Sequence, residues 1–144
     1  MAVSYKPAGY HTVTPYIVVS DALKLIEFMK QAFDAVEMER MMRPDGTIGH
    51  VEMRIGDSMI MLGQSAGEWK PMPIGLYLYV PDTDVVYKAA LAAGGTSLME
   101  PSDQFYGDRN AGVRDMFGNL WWIATHIEDV PPEEMQRRAA AKDK

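Results

Sequence analysis

Three side chains that could carry chemistry occur at alternate positions of one short stretch. His50, Glu52 and Arg54 are separated by apolar residues, and side chains alternate between the two faces of a β-strand, so the three would share one face. His50 or Glu52 could act as a general base, and Arg54 could stabilise negative charge. His50 and Glu52 could also supply two metal ligands, but a third is not evident. The structural alternative is that these are solvated or mutually paired sheet residues, with an ordinary ion pair of Glu52 with Arg54 or Arg114.

The composition excludes several classes of site and partner. The chain has 144 residues, a single-domain length, and contains no cysteine, which excludes disulfides, thiolate metal sites and cysteine nucleophiles. Lys and Arg number 14 against 20 Asp and Glu, and the net charge of -6 would repel nucleic acid. No apolar run approaches the ~20 residues of a membrane span, and the N-terminus has no apolar signal core. We therefore expect a cytoplasmic protein that binds neither nucleic acid nor membranes.

The chain contains an internal repeat. Tyr16–Asp21 aligns with Tyr77–Asp82 at an offset of 61 residues. Ile55–Asp57 aligns with Phe117–Asn119 at an offset of 62 residues. Because the two offsets agree within one residue, the matches belong to one repeated unit.

The order of elements within each copy predicts a βαβββ unit. Asp21 would cap a first helix that ends at Asp34, and Asp82 would cap a second helix that ends at Gly94-Gly95. The expected strands cover residues 11–19, 36–43, 48–55 and 58–63 in the first copy, and the Tyr77 stretch, 96–101, 109–115 and 119–125 in the second. We therefore predict an α+β fold with two tandem βαβββ modules.

The domain organisation follows from this repeat. Residues 1–9 lack any period and are expected to be a flexible lead-in. Residues 10–130 form one domain, with module one at 10–64 and module two at 74–126. Residues 131–144 are expected to be a short helix, which starts at Pro131-Pro132 and ends near Arg138, followed by a solvated tail.

The second copy closes with the most specific motifs of the sequence. These are Phe105-Tyr106-Gly107-Asp108-Arg109, the tight turn Asp115-Met116-Phe117-Gly118, and the run from Trp121 to His126. Over residues 10–138 the chain resembles the vicinal-oxygen-chelate superfamily of glyoxalases, bleomycin-resistance proteins and ring-cleaving dioxygenases, and most closely its PhnB-like branch. Met116 and Asn119 replace a proline and a histidine of that pattern. The resemblance implies a curled mixed sheet around a cleft, with the helices on its outer face.

Strand alternation and the resemblance together predict which side chains line the cleft. Val13, Ile17 and Val19 of the first strand and Leu76, Leu78 and Val80 of the fifth would be core residues. The family register places Trp122 in the cleft and Trp121 in the core. The expected ligand-binding residues are Thr14, Tyr16, His50, Glu52, Arg54, Met61, Tyr77, Tyr79, Arg114 and Trp122. An aromatic wall with a few polar groups is typical of a small-molecule pocket.

The resemblance also identifies four positions at which enzymes of the superfamily carry metal ligands, usually His and Glu. In this sequence they are Thr14, Met61 (or Ile60 if the register shifts by one), Gly75 and Trp122. None of these side chains can replace a His or Glu ligand. His11 and His126 are expected at the surface or at a strand end. We therefore expect no metal cofactor; a displaced metal site that includes His50 and Glu52 is the alternative.

Two classes of function follow from these residues. The metal-free relatives of the bleomycin-resistance branch bind a flat, partly aromatic molecule in the cleft, commonly as homodimers, and the resemblance implies this mode for the present chain. The alternative is a lyase, isomerase or dioxygenase of the same superfamily, either with a displaced metal site or with His50 or Glu52 as a metal-independent base. The sequence does not identify the ligand.

Overall fold

The computed structural model describes residues 2–142 and has two four-stranded mixed sheets and three helices within that range. The elements are β1 (Tyr16–Val19), α1 (Ala22–Phe33), β2 (Val36–Met42), β3 (Ile48–Ile55), β4 (Ser58–Gln64), β5 (Gly75–Tyr79), α2 (Thr83–Ala92), β6 (Thr96–Asp103), β7 (Asp108–Arg114), β8 (Leu120–His126) and α3 (Pro132–Lys142). Sheet 1 has the order β1-β4-β3-β2, and sheet 2 has the order β5-β8-β7-β6. The predicted α+β fold of two βαβββ modules is confirmed.

The two modules pair their strands in the same way. The first strand of each module lies parallel to the last, with Tyr16 opposite Met61 in sheet 1 and Tyr77 opposite Trp122 in sheet 2. The remaining neighbours are antiparallel. Equivalent positions of the repeat therefore occupy equivalent places in the two sheets.

The helices begin and end at the residues that the sequence marks for this role. Asp21 accepts a hydrogen bond from the backbone N–H of Lys24, and Asp82 accepts one from that of Val85, each at 3.2 Å. These side chains satisfy N–H groups that the first turn of a helix leaves free. Asp34 ends α1 in the left-handed conformation, with φ of 54°.

Both modules contribute to one hydrophobic core. Helices α1 and α2 contact each other, and α1 also packs on its own sheet. The rings of Phe28 and Phe33 on α1 lie 6.3 and 4.7 Å from the ring of Trp121 on β8, centroid to centroid. Trp121 is fully buried, as predicted. The helix of module one thus covers part of the sheet of module two.

The first strand is shorter than predicted. It begins at Tyr16 instead of residue 11, and Val13, which we expected in the core, is 81% exposed. The reason is Pro15, which has no N–H to donate and which restricts the backbone of Thr14. Only the carbonyl of Pro15 joins the ladder, where it accepts a 2.9 Å hydrogen bond from Met61.

The C-terminal helix is longer than predicted. Helix α3 continues to Lys142 because residues 139–141 are alanines, the strongest helix formers. Arg138 holds the helix against module two: its guanidinium donates to Glu128 at 2.6 Å and to the carbonyl of Phe105 at 3.2 Å. The predicted tail beyond residue 142 lies outside the described residues.

Candidate functional site

A first group of polar side chains lies on the face of sheet 1 opposite the helix. The hydroxyl of Tyr16 is 3.5 Å from Nδ1 of His50, and Nε2 of His50 is 3.7 Å from Oε2 of Glu52. Met61 lies between the two strands that carry them, as the Cα partner of both Tyr16 and Glu52. We call Tyr16, His50, Glu52 and Met61 the sheet-1 cluster.

A glycine makes room for this contact between distant strands. A Cβ atom at Gly63 would lie 2.6 Å from the carbonyl oxygen of Gly49 and 3.1 Å from the hydroxyl of Tyr16. The Tyr16 side chain can therefore reach across the sheet to His50. Within residues 2–142, Glu52 lies 3.7 Å from Nε2 of His50 and forms an ion pair with neither Arg54 nor Arg114. The two arginine pairings considered from the sequence are therefore not formed, but His50 and Glu52 lie close enough to pair with each other, as the structural alternative allows.

A second group is centred on a buried carboxylate of sheet 2. Asp108, only 4% exposed, accepts hydrogen bonds from the hydroxyls of Tyr77 at 2.6 Å and Tyr79 at 2.9 Å, both on Oδ2. Its other oxygen, Oδ1, lies 2.9 Å from Nδ1 of His126. The sheet-2 cluster, as we call it, comprises Tyr77, Tyr79, Tyr106, Asp108, Asn110 and His126.

Asn110 extends this network to a third tyrosine. Its Nδ2 donates to the hydroxyl of Tyr77 at 3.0 Å and to that of Tyr106 at 2.7 Å. Asn110 is 2% exposed, and its Oδ1 has no hydrogen-bond partner within residues 2–142. The hydroxyl of Tyr77 is therefore hydrogen-bonded to both Asp108 and Asn110, and the hydroxyl of Tyr106 is hydrogen-bonded to Asn110.

The protonation states of the sheet-2 cluster follow from these contacts. Burial disfavours the charged Asp108, but its hydrogen bonds with the two tyrosines and the histidine outweigh burial and place the pKa of this carboxyl below its ordinary value. Burial, and then the contact with Asp108, raise the pKa of Tyr77; the same contact, and then burial, raise the pKa of Tyr79. Hydrogen bonds with Asp108 and then Asp129 raise the pKa of His126. The two tyrosines thus stay neutral donors to a carboxylate.

Fixing the hydroxyls leaves the rings available to a ligand. Tyr77 and Tyr79 are 43% and 64% exposed, and their ring centroids are 5.4 Å apart. The half-buried Trp122 lies on the neighbouring strand, opposite Tyr77. Its ring passes over Gly112, where a Cβ atom would lie 2.6 Å from the indole. We call Tyr77, Tyr79 and Trp122 the aromatic wall.

The structure divides the predicted site residues into two groups. Tyr16, His50, Glu52 and Met61 belong to sheet 1, and Tyr77, Tyr79 and Trp122 belong to sheet 2. Within residues 2–142 no hydrogen bond or ion pair joins the sheet-1 cluster to the sheet-2 cluster. Thr14 lies in the irregular segment before β1, and Arg114 is exposed at the end of β7.

Comparison with known proteins identifies the family. The model of the Glyoxalase/Bleomycin resistance protein/Dioxygenase superfamily matches residues 10–123. The chain belongs to this superfamily. Uncharacterized proteins of Mycobacterium bovis and Mycobacterium tuberculosis are 35% identical to it over 147 residues; the matches cover 94% of this chain and 94% and 84% of those proteins, respectively.

Solved structures of the superfamily fold are similar to this chain. TioX from Micromonospora sp. ML1 matches with a TM-score of 0.70 and 20% identity, over 81% of this chain and 99% of that one. The fosfomycin resistance protein FosX from Listeria monocytogenes matches with a TM-score of 0.64 and 15% identity, over 87% and 97%. These similarities concern the fold.

The metal-ligand positions of the superfamily do not fit a metal in this chain. Met61 and Trp122 occupy equivalent places in the two sheets, whereas Ile60 is buried in the core, and this favours Met61 over Ile60 as the position equivalent to Trp122. A thioether, an indole, a hydroxyl and a glycine at the four positions do not form a ligand set for a divalent cation. Elsewhere in residues 2–142, no three His, Asp or Glu side chains are grouped to hold a metal ion.

Sequence reasoning missed several residues of the sheet-2 cluster. Asp108 and Tyr106 lie in a motif that carried the family resemblance, but neither was predicted to contact a ligand-binding residue. Asn110 and Gly112 follow at alternate positions of β7, so strand alternation starting from Asp108 could have identified this face. His126 lies at a strand end, as expected, yet it contacts Asp108.

No helix in residues 2–142 is both long and apolar enough to cross a membrane.

Proposed function

We propose that this superfamily member binds a small, partly aromatic molecule against the aromatic wall, without a metal. The observation that carries the proposal is the pair of hydrogen bonds from Tyr77 and Tyr79 to the buried Asp108, which fix both rings while their faces remain exposed. Aromatic pairs contribute about 0.5–1.5 kcal/mol beyond their buried area. Rings that are already immobile lose little conformational entropy when a ligand binds, so more of this energy appears as affinity.

We also propose that the chain acts as a homodimer. Large apolar side chains are exposed on or beside sheet 1: Met38 is 50% exposed, Met41 65%, Met72 66% and Trp69 73%. Large apolar side chains that are this exposed are candidates for burial in an interface, and a second copy of the chain would cover them. Sedimentation equilibrium tests this proposal, since a monomer at micromolar concentration would refute it.

The cytoplasmic location suggested by the lack of cysteine stays a prediction.

Binding to the aromatic wall can be tested with a panel of flat heteroaromatic compounds. We expect isothermal titration calorimetry to detect at least one ligand, such as a quinoline or naphthalene derivative, and Tyr79→Ala to weaken its binding about tenfold, or about 1.4 kcal/mol. Tyr79→Phe retains the ring and loses the hydroxyl contact with Asp108, so its effect should be smaller.

The control for this experiment is Tyr5→Ala. Tyr5 is 89% exposed in the N-terminal lead-in, so its removal should leave the affinity unchanged. If Tyr79→Ala binds the same ligands as tightly as the wild type does, the aromatic wall is not the binding site. A screen without any ligand that depends on Tyr79 would refute the proposal in the same way.

A metal-independent enzyme is the second candidate, and one observation favours it. Tyr16, His50 and Glu52 form the order hydroxyl, imidazole and carboxylate, at 3.5 and 3.7 Å. A carboxylate that closed to hydrogen-bond distance would orient the imidazole, which could then take up a proton from the hydroxyl or from a substrate. Saturable turnover of a substrate that is lost in His50→Gln would support this function over simple binding. Unchanged turnover in His50→Gln would remove His50 from the mechanism.

A further inference from the structure

A cavity of about 920 Å³ is lined by residues of both modules, and Tyr77 and Tyr79 of the aromatic wall belong to its lining. The hydroxyls of both tyrosines donate to the buried Asp108. We propose that the aromatic wall binds a flat organic cation, such as a heteroaromatic ring that is alkylated on its nitrogen. This inference rests on the proposed function, because it names the chemical class of the ligand for the same site.

The hydrogen bonds with Asp108 make the rings of the two tyrosines richer in electrons. Tyr77 and Tyr79 donate to the same carboxylate oxygen, at 2.6 and 2.9 Å. A phenol that donates to a carboxylate is polarised toward the phenolate form, which shifts electron density into its ring. The face of an aromatic ring carries partial negative charge and attracts cations. These two rings should therefore attract a cation more strongly than a free tyrosine side chain does.

Asp108 keeps its negative charge although it is buried. Its hydrogen bonds place its pKa below the ordinary value, and the pKa values of Tyr77 and Tyr79 are raised, so the protons stay on the tyrosines. His126 lies 2.9 Å from Asp108 and 2.6 Å from Asp129, so one imidazole is shared by two carboxylates. The three groups together remain negative whether the histidine is charged or neutral. Solvent screens Asp108 weakly because it is only 4% exposed.

The faces of the aromatic wall are open to such a cation. The ring centroids of Tyr77 and Tyr79 are 5.4 Å apart and their planes are inclined by 58°, so one cation can lie within about 6 Å of both centroids. Trp122, whose indole is the ring type that binds cations best, lies opposite Tyr77 on the neighbouring strand. Within residues 2–142, Lys6 and Lys142 each lie over the ring of another aromatic residue, and no side-chain cation lies over these three rings.

The cavity beside the wall agrees with a ligand of this charge and size. The carboxylates of Asp34 and Asp57 and the guanidinium of Arg54 belong to its lining, together with His11. An anion would therefore meet more carboxylates than guanidinium groups, and a cation would not. Small-molecule sites have volumes of about 300–1,000 Å³, so a bicyclic ring can be accommodated.

The test uses three probes that share one bicyclic ring and differ in charge: N-methylquinolinium, quinoline and quinoline-4-carboxylate. At neutral pH, we expect calorimetric titration to show N-methylquinolinium binding at least tenfold more tightly than quinoline, and quinoline-4-carboxylate binding most weakly. Quinoline binding as tightly as N-methylquinolinium, or more tightly, would overturn the proposal.

Two substitutions test whether Asp108 is the origin of this preference. Asp108→Asn keeps the shape and removes the charge, so the affinity for N-methylquinolinium should fall about tenfold while that for quinoline changes less than twofold. Tyr79→Phe keeps the ring and removes its hydrogen bond with Asp108, so the affinity for the cation alone should fall about threefold. If Asp108→Asn does not fold, Tyr79→Phe decides the question. A cation preference that is unchanged in the variants that fold would refute the role of the carboxylate.

Glu68→Gln is the matched control for the loss of one negative charge. Glu68 is exposed in the linker between the modules, so its substitution changes the net charge as Asp108→Asn does and should leave the affinity for N-methylquinolinium unchanged. A loss as large as that in Asp108→Asn would mean that net charge alone attracts the cation, and would refute the inference.

Tyr79→Ala distinguishes failure of this inference from failure of the proposed function. If quinoline and N-methylquinolinium bind the wild type equally tightly and both bind Tyr79→Ala less tightly, the aromatic wall is the site and only the inference about charge fails. If neither probe loses affinity in Tyr79→Ala, the aromatic wall is not the site, and the proposed function fails together with this inference.

Discussion

The indole nitrogen of Trp121 donates a 2.8 Å hydrogen bond to Oδ2 of Asp115, and both side chains are buried. The other oxygen of Asp115 accepts from the backbone N–H groups of Phe117 at 2.8 Å and Asn119 at 3.1 Å. The side-chain amide of Asn119 also donates to Oδ2, at 2.9 Å. One carboxylate therefore organises the turn between β7 and β8 and joins it to the core residue that α1 covers.

Replacing Asp115 should destabilise the whole domain. Asp115→Ala leaves four donors without their acceptor, and we expect the free energy of unfolding to fall by about 3 kcal/mol. Asp57→Ala is the control, because Asp57 is exposed in the corresponding turn of module one; it should change the free energy of unfolding by less than about 0.5 kcal/mol. Urea denaturation measures both. A loss below about 1 kcal/mol in Asp115→Ala would show that water replaces the carboxylate in the turn.

Gly112 should be required for the position of Trp122. In Gly112→Ala the added methyl group would meet the indole ring, so the ring must tilt out of the aromatic wall. We expect a changed near-ultraviolet circular dichroism spectrum and several-fold weaker binding of heteroaromatic ligands. Gly75→Ala is the matched control, since a Cβ atom there has no neighbour within 4 Å in the described part of the chain, residues 2–142. Identical spectra for Gly112→Ala and the wild type would contradict the described packing.

The contact between His126 and Asp108 should make stability depend on pH. The pKa of His126 is raised in the folded state above its ordinary value of 6.5, so the folded protein binds this proton more tightly than the unfolded chain does. The stabilisation is complete below the unfolded pKa and is lost as the pH rises through the raised pKa. The melting temperature of the wild type should therefore fall, relative to that of His126→Gln, as the pH rises above about 6.5.

The control for this pH dependence is His11→Gln. His11 lies in the segment before β1 and forms no ion pair within residues 2–142, so the wild type and this variant should give parallel profiles of melting temperature against pH. If His126→Gln also parallels the wild type, the histidine does not gain its proton through Asp108.

Divalent metals should not stabilise the protein. Because the four superfamily ligand positions carry Thr14, Met61, Gly75 and Trp122, we expect substoichiometric metal by mass spectrometry and no rise in melting temperature with Zn²⁺, Ni²⁺ or Mn²⁺. A metal present at 100 times its Kd would add about 2.7 kcal/mol to the free energy of unfolding, which is readily measured. One metal per chain together with such a rise would mean that a displaced site exists. Glu52→Gln and His50→Gln would then be the first variants to examine.

Features that depend on short-range interactions could be predicted from the sequence. The helix caps Asp21 and Asp82 and the turn at Asp115 each involve partners within four residues. Such contacts follow from residue type and spacing alone. Two local predictions were wrong. The strand start at residue 11 was placed without weighing the missing N–H of Pro15, and the helix end near Arg138 was placed without weighing the helix propensity of the alanines at 139–141.

Contacts between distant residues could not be predicted in this way. Alternation assigned Tyr77 and Tyr79 to the correct face, but Asp108, their shared partner, lies 31 and 29 residues further along the chain. Residue type and spacing do not determine which strands are neighbours in a sheet. They also do not determine which tyrosine hydroxyl reaches a given carboxylate. For the same reason, nothing in the sequence indicated that the hydroxyl of Tyr10 has no hydrogen-bond partner among residues 2–142.

The packing of α1 against Trp121 bears on how such a chain could arise. Phe28 and Phe33 of module one cover Trp121 of module two, so module two without its neighbour would expose this buried tryptophan to solvent. A one-module ancestor would have needed a second copy of itself, and fusion of two such copies would make that pairing permanent within one chain. Two copies joined in one chain can change independently of each other, and here one sheet carries a histidine and a glutamate where the other carries a cluster of tyrosines around an aspartate.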